Sequence, residues 1–173
     1  WDLTDYLPRF PNLSKANPVV LNNMSIDGRV YGIYRSRNLG RNAIVYRKDW
    51  ARNVGIPEPK TLDELYELMY RMTHNDPDQN GEDDTYAMVV TSYPGPWRVM
   101  LPWFGLPNKW GKAPDGSLQP EHLFPEYKDA MNFWKKMYDN GLINRDFAVY
   151  NPSQWNDPIV AEKAGMIIDV ADL

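Results

Sequence analysis

Residues 61–91 read TLDELYELMYRMTHNDPDQNGEDDTYAMVVT, a helix start, a helix face, an acidic loop and a strand in succession. Thr61-Leu62-Asp63-Glu64 is a capping box, in which the Thr oxygen takes one orphan amide and the Glu reaches back to another. Leu62, Leu65, Tyr66, Met69 and Met72 fall at i, i+3, i+4, i+7 and i+10, one face of a helix that ends near His74. The acidic loop 76–84 leads into a strand from Tyr86 to Thr91. Outward from this unit the pattern repeats. Strands are predicted at Arg29 to Tyr34 and at Asn42 to Arg47, with Asp27-Gly28 as a turn that joins the first to an earlier partner. A short helix covers Asp49 to Val54 and closes at Gly55. A long helix runs from Pro125 to Asn140, with Pro125 in its first turn, and Gly141 closes it. Its apolar stripe is Tyr127, Ala130, Met131, Trp134, Met137 and Tyr138. Residues 153–163 have helical character with Pro158 in a first turn or as a break, and Gly165 to Val170 is a short buried strand. Strands alternating with helices indicate an α/β fold.

The chain has 173 residues, a formal charge of −4 and no cysteine. That length buries a real core. Zero Cys excludes a disulfide scaffold, a thiolate zinc site and a thiol enzyme. The slight acidic excess argues against a nucleic-acid binder. No run approaches the roughly 20 apolar residues of a membrane span, and a 43% hydrophobic fraction argues against disorder. The chain opens on Trp1 with no signal peptide and stops after a strand-like run, and the expectation is a piece of a longer protein.

Asp76-Pro77-Asp78-Gln79-Asn80-Gly81 matches the first half of a calcium loop, D-x-[DN]-x-[DN]-G. Calcium takes about six to eight oxygens from a flexible loop. Asp76, Asp78 and Asn80 stand at positions 1, 3 and 5, Gly81 permits the sharp turn, and Glu82 offers its carbonyl at position 7. Position 12 holds Ala87 where an EF-hand has Glu; Asp84 at position 9 is the expected substitute, aided by Thr85. A strand follows rather than a second helix, so the expected role is structural: pinning a helix-to-strand turn. The alternative is a solvated acidic turn.

Seven tryptophans form the second feature. Trp97, Trp103 and Trp110 lie in a Pro/Gly-rich stretch, where aromatic faces suit the C–H face of a sugar ring, with core packing as the alternative for any one of them. Trp134 and Trp50 read as core, and Trp155 has both readings open. Arg35, Arg37 and Arg41, with Asn38, stand between two strands. Guanidinium groups there bind carboxylates or sugar hydroxyls in pairs, or form a solvated loop. His74 and His122 have no partner to orient them, and no Gly-rich phosphate loop is present, so enzyme signals are poor.

The order of motifs carries a resemblance. Gly28-Arg-Val-Tyr-Gly-Ile-Tyr34 precedes Ile44-Val-Tyr-Arg-Lys-Asp-Trp50, then Pro59-Lys-Thr-Leu-Asp-Glu-Leu65, the acidic loop, Tyr127-Lys-Asp-Ala130, Tyr138-Asp-Asn-Gly-Leu142 and Lys163-Ala-Gly-Met166. This set resembles the extracellular solute-binding proteins of bacterial ABC importers, in the branch of lipoproteins that bind oligosaccharides. The resemblance implies a type II periplasmic-binding-protein-like α/β fold and a bilobed parent that closes like a hinge on a sugar. Residues 1–42 would form a first-lobe or hinge segment and 43–173 most of the second lobe. It further implies an oligosaccharide ligand, a membrane permease as partner, a lipid anchor outside this chain, and a structural Ca²⁺ in the acidic loop. Under it, Trp97 and Trp103 stack sugar rings while Arg35, Arg37 and Asn38 bind their polar groups. Binding without catalysis is the reading it favours. A glycan-active enzyme domain and a calcium-responsive interaction module are the alternatives.

Overall fold

The structure is a computed structural model and describes residues 1–35 and 42–170. The chain divides into two compact units, Trp1–Arg41 and Asn42–Leu173.

In the first unit, α1 (Pro18–Asn23) begins on Asn17, whose side chain accepts the Val19 N–H at 2.9 Å. Pro18 suits that first turn because its missing N–H would have no helical partner. The two-residue strands β1 (Ser25–Ile26) and β2 (Arg29–Val30) pair antiparallel. Asp27 and Gly28 join them with φ of 50° and 77°, the left-handed pair that a two-residue hairpin turn requires. The strand expected to reach Tyr34 stops at Val30, because its partner offers only two residues. A 3-10 turn at Leu7–Arg9 precedes α1.

The second unit is built on a three-stranded mixed sheet. The central strand β7 (Ala164–Val170) lies between β3 (Asn42–Tyr46) and β4 (Tyr86–Met88). It runs antiparallel to β3, with Ile44 opposite Ile168, and parallel to β4, with Met88 opposite Met166. Ile143 adds a parallel bridge outside β4. The helices are α2 (Lys48–Asn53), α3 (Leu62–His74), α4 (Gly95–Met100), α5 (Glu126–Asp139) and α6 (Asp157–Val160). A hairpin of β5 (Trp110–Lys112) and β6 (Leu118–Pro120) stands apart from the main sheet. Neither these strands nor α4 is among the elements expected from the sequence.

The capping box forms with one change of partner. Thr61 Oγ1 accepts the Glu64 N–H at 3.1 Å, while Glu64 Oε2 accepts from Lys60 N–H rather than from Thr61. The buried face of α3 is Leu65, Leu68, Met69, Met72 and Thr73. It packs with Trp50, Met88, Met137, Leu142, Ile143 and Met166 into the main core. Gly165 is the close approach in this core: a Cβ there would lie 2.6 Å from the ring of Trp50. Ile167 belongs to a second cluster with Val89 and Ala164, against Trp155 and Ile159. β7 thus feeds two apolar clusters, Met166 and Ile168 in one and Ile167 in the other.

Candidate functional site

Parallel strands concentrate binding sites at their carboxyl ends, where the chain leaves the sheet and backbone groups lose their ladder partners. β4 leaves the sheet under tight control. Val89 N–H donates to the Met166 carbonyl at 3.1 Å. Val90 N–H donates to Asn144 Oδ1 at 2.7 Å, and the Asn144 amide donates to Asp146 at 2.7 Å. Ser92 N–H donates to the Tyr150 carbonyl at 3.0 Å. The chain then turns at Tyr93 into α4, whose Pro94-Gly95-Pro96 opening is compatible with a first helical turn.

Two hollows flank this exit, and Thr91 and Tyr93 line both. The larger, about 360 Å³, is walled by Val90, Pro94, Trp97, Met131, Trp134 and Phe147. Trp97 is half-buried and held edge-on by Tyr127 and Trp134, each 5.6 Å away between ring centres. Such edge-to-face contacts fix a ring's orientation. The smaller hollow, about 170 Å³, lies between Tyr93, Pro96, Pro152, Trp155 and Asp169. Tyr93 is 61% exposed and folds back over Gly95.

The structure separates the two tryptophans expected to act together. Trp103 follows α4 in a 3-10 turn and packs against the main core. It lines a different hollow, with Ile44, Pro59, Leu62 and Leu65 at the start of α3. Trp110 lies on β5, 63% exposed. Arg35 is exposed in the first unit, while Arg37, Asn38 and Arg41 lie outside the described residues. Tyr93, Phe147 and Asp169 were missed in the sequence. Trp134, read as core stripe, is both core and wall, and Trp155 resolves to a wall of the smaller hollow.

The acidic loop sits at the opposite end of β4. Asp76 accepts backbone N–H groups of Asn80 and Gly81, each at 3.0 Å. Asn80 Oδ1 accepts Glu82 N–H at 2.7 Å. Asn80 Nδ2 bridges Asp78 Oδ2 at 3.0 Å and Asp84 Oδ1 at 3.5 Å. The other oxygen of Asp84 is ion-paired with Lys163, at the entry to β7. That bond holds the Asp84 carboxyl below the usual carboxylate range and the Lys163 ammonium above its own. Thr85, expected to aid the loop, is turned elsewhere: its buried hydroxyl donates to the Met72 carbonyl at 2.9 Å and ties α3 to β4. As they stand, no group of three His, Asp or Glu side chains among the described residues converges to hold a metal. One observation does fit a cation: Asp78 Oδ1 is buried with no partner, and the oxygens around it suit a hard cation.

Together these features give a mixed α/β sheet with aromatic hollows beside the carboxyl end of β4. Comparison with known proteins agrees. The sequence profile described as bacterial extracellular solute-binding protein matches residues 14–171, and the chain belongs to that family. Lipoprotein LipO of Bacillus subtilis (strain 168) is 49% identical over 98% of this chain and 34% of its own length. The polygalacturonan/rhamnogalacturonan-binding protein YtcQ of the same organism is 42% identical over 97% of this chain and 34% of its own length. The chain therefore spans about a third of these relatives. The Streptococcus pneumoniae ABC-transporter substrate-binding protein FusA, solved with kestose, superposes with a TM-score of 0.73 at 20% identity, over 98% of this chain and 38% of that one. This likeness establishes the type II periplasmic-binding-protein-like fold. The family is one of binding proteins, which sets the glycan-active enzyme reading aside.

Proposed function

We propose that this chain is part of the substrate-capture component of an ABC importer and binds an oligosaccharide at the hollows around Tyr93 and Trp97. The observation that carries the reading is Trp97 itself. Its ring is pre-oriented by two aromatic edges at the mouth of an apolar hollow of about 360 Å³, which suits the C–H face of a pyranose. The relatives YtcQ and FusA, whose names specify glycans, support the same class of ligand. A membrane permease is the implied partner. An extracellular location with a lipid anchor outside this chain is supported by the family description and by LipO. Residues 1–42 are proposed as the first-lobe or hinge segment and 43–173 as second lobe.

The test is a thermal-shift screen of the full-length protein against oligogalacturonates, rhamnogalacturonan fragments and kestose. A ligand that binds only the folded state raises stability by RT ln(1 + [L]/Kd). A shift with one class and no cleavage product supports the reading. No shift with any of them, in a folded protein, refutes it.

We further propose a structural Ca²⁺ on Asp76, Asp78, Asn80, the Glu82 carbonyl and Asp84. Asp78 Oδ1 carries this reading. Asp78→Ala then lowers thermal stability in calcium and leaves it unchanged in EDTA. Thr85→Val, which removes the bond to Met72, lowers it equally in both. Equal losses for Asp78→Ala in calcium and EDTA refute the metal.

A further inference from the structure

We infer that Lys163 is a built-in counter-cation of the acidic loop, holding Asp84 when no metal is present and releasing it when calcium binds. The inference rests on the calcium reading above. Five carboxylates fall between Asp76 and Asp84, and residues 75–85 contain no Lys or Arg. Left alone, such a cluster repels itself. Among the described residues, Lys163 is the one cation ion-paired to it. It comes from a distant part of the chain, 79 residues beyond Asp84.

Its position is set by the fold. The turn that feeds β7 is fastened on both sides by consecutive charges. Glu162, held at φ 56°, pairs with Arg47 at 2.9 Å beside β3. Lys163 pairs with the loop that precedes β4. The ammonium thus joins the central strand to the loop without any metal.

The same pair opposes the metal. Asp84 is the carboxylate that substitutes for the absent position-12 Glu, and the ammonium occupies one of its oxygens. A dication on Asp78 and Asp84 would face that ammonium as a like charge. The Lys163 side chain is 44% exposed, so it can swing to water without leaving a buried charge behind. Metal and lysine therefore alternate on one carboxylate, and calcium affinity is lower than the loop's charge alone would give.

The test is calorimetric titration of calcium into the chelator-stripped full-length protein, for wild type, Lys163→Met, Lys163→Gln and Lys163→Arg. A partly exposed ion pair is worth up to a few-fold, and relief of repulsion adds to it, so the two neutral variants bind calcium about tenfold tighter. Lys163→Arg keeps the charge and stays within about twofold of wild type. In EDTA the neutral variants melt below wild type, and calcium raises their melting temperature by more. Equal or weaker calcium binding in both neutral variants, with wild type binding, overturns the inference and leaves the calcium reading intact. Binding in the neutral variants alone supports lysine occupancy and overturns calcium in the native protein. Absence of binding in all four overturns both.

Discussion

Replacing Trp97 and Trp103 separately by Ala distinguishes the two tryptophans. Both are half-buried and both pack on hydrophobic clusters. Full truncation of a core Trp costs about 3–5 kcal/mol. Partial exposure reduces that, and for Trp97 the two edge contacts add roughly 0.5–1.5 kcal/mol each beyond area. Either variant is therefore less stable by about 2–3 kcal/mol, which denaturant melts detect. Binding separates them. Trp97 lines the hollow at the exit of β4, and an anchor of this kind contributes about 2 kcal/mol, or roughly 30-fold in Kd. Trp103 lines the hollow at the start of α3, and its loss changes Kd by less than about twofold. The assay is titration calorimetry of the full-length protein with the oligosaccharide that stabilises it, and Trp97→Phe serves as a control that retains a ring. If Trp103→Ala weakens binding as much as Trp97→Ala, or if Trp97→Ala leaves Kd unchanged, the assignment of the site to the β4 exit is wrong.

Three further outcomes follow from the packing and charges. Gly165→Ala drives a methyl into Trp50, itself 1% exposed, and lowers unfolding free energy by about 1–3 kcal/mol; an unchanged denaturant midpoint would show that the ring can move. Asn144→Leu strips the acceptor from the buried Val90 N–H and costs about 1–3 kcal/mol, with faster hydrogen exchange at Val90 as the local signature. Arg47 hydrogen-bonds Asp49 and lowers its carboxyl from 3.8 to about 2. A depressed carboxylate stabilises the fold above its unfolded value and loses that contribution as pH falls from about 4 to about 2. The melting difference between wild type and Asp49→Asn is therefore present near neutral pH and vanishes at the acid end; a difference independent of pH would contradict the pairing.

How much was legible in the sequence depended on the range of the forces involved. The capping box of α3, the helix α5 and the Asp27-Gly28 turn are local devices, and each formed within a residue or two of its expected place. The Pro-rich stretch hid α4. Pro94 and Pro96 argue against helix interiors, yet both stand at its start, where their missing N–H groups cost nothing. Trp97 and Trp103 were grouped because they are close in sequence. Six residues along a nearly continuous helical path amount to a rotation of roughly 240°, so the two rings leave on different faces. Tyr93 and Trp155 could not be paired from sequence at all. They line one hollow because the Ser92 N–H donates to the Tyr150 carbonyl and ties the segment before Trp155 to the β4 exit, a contact of long range.

The chemistry of the two hollows also limits the kind of glycan they can take. Among the described residues, their walls supply ring faces, hydroxyls and the Asp169 carboxylate, and no Lys or Arg. A carboxylate that loses its hydration on such a surface needs a counter-charge, because an unpaired buried charge is costly. A neutral pyranose meets no such penalty. An acidic sugar can use these hollows only by laying its ring on the aromatics and keeping its carboxylate in water or on groups that lie outside them. Arg35, Arg37 and Asn38 are the side chains proposed for that second task. Aromatic substitutions in the hollows then weaken neutral and acidic glycans alike, whereas replacing Arg35 or Arg37 by Gln weakens acidic glycans more than neutral ones, as paired titrations would show.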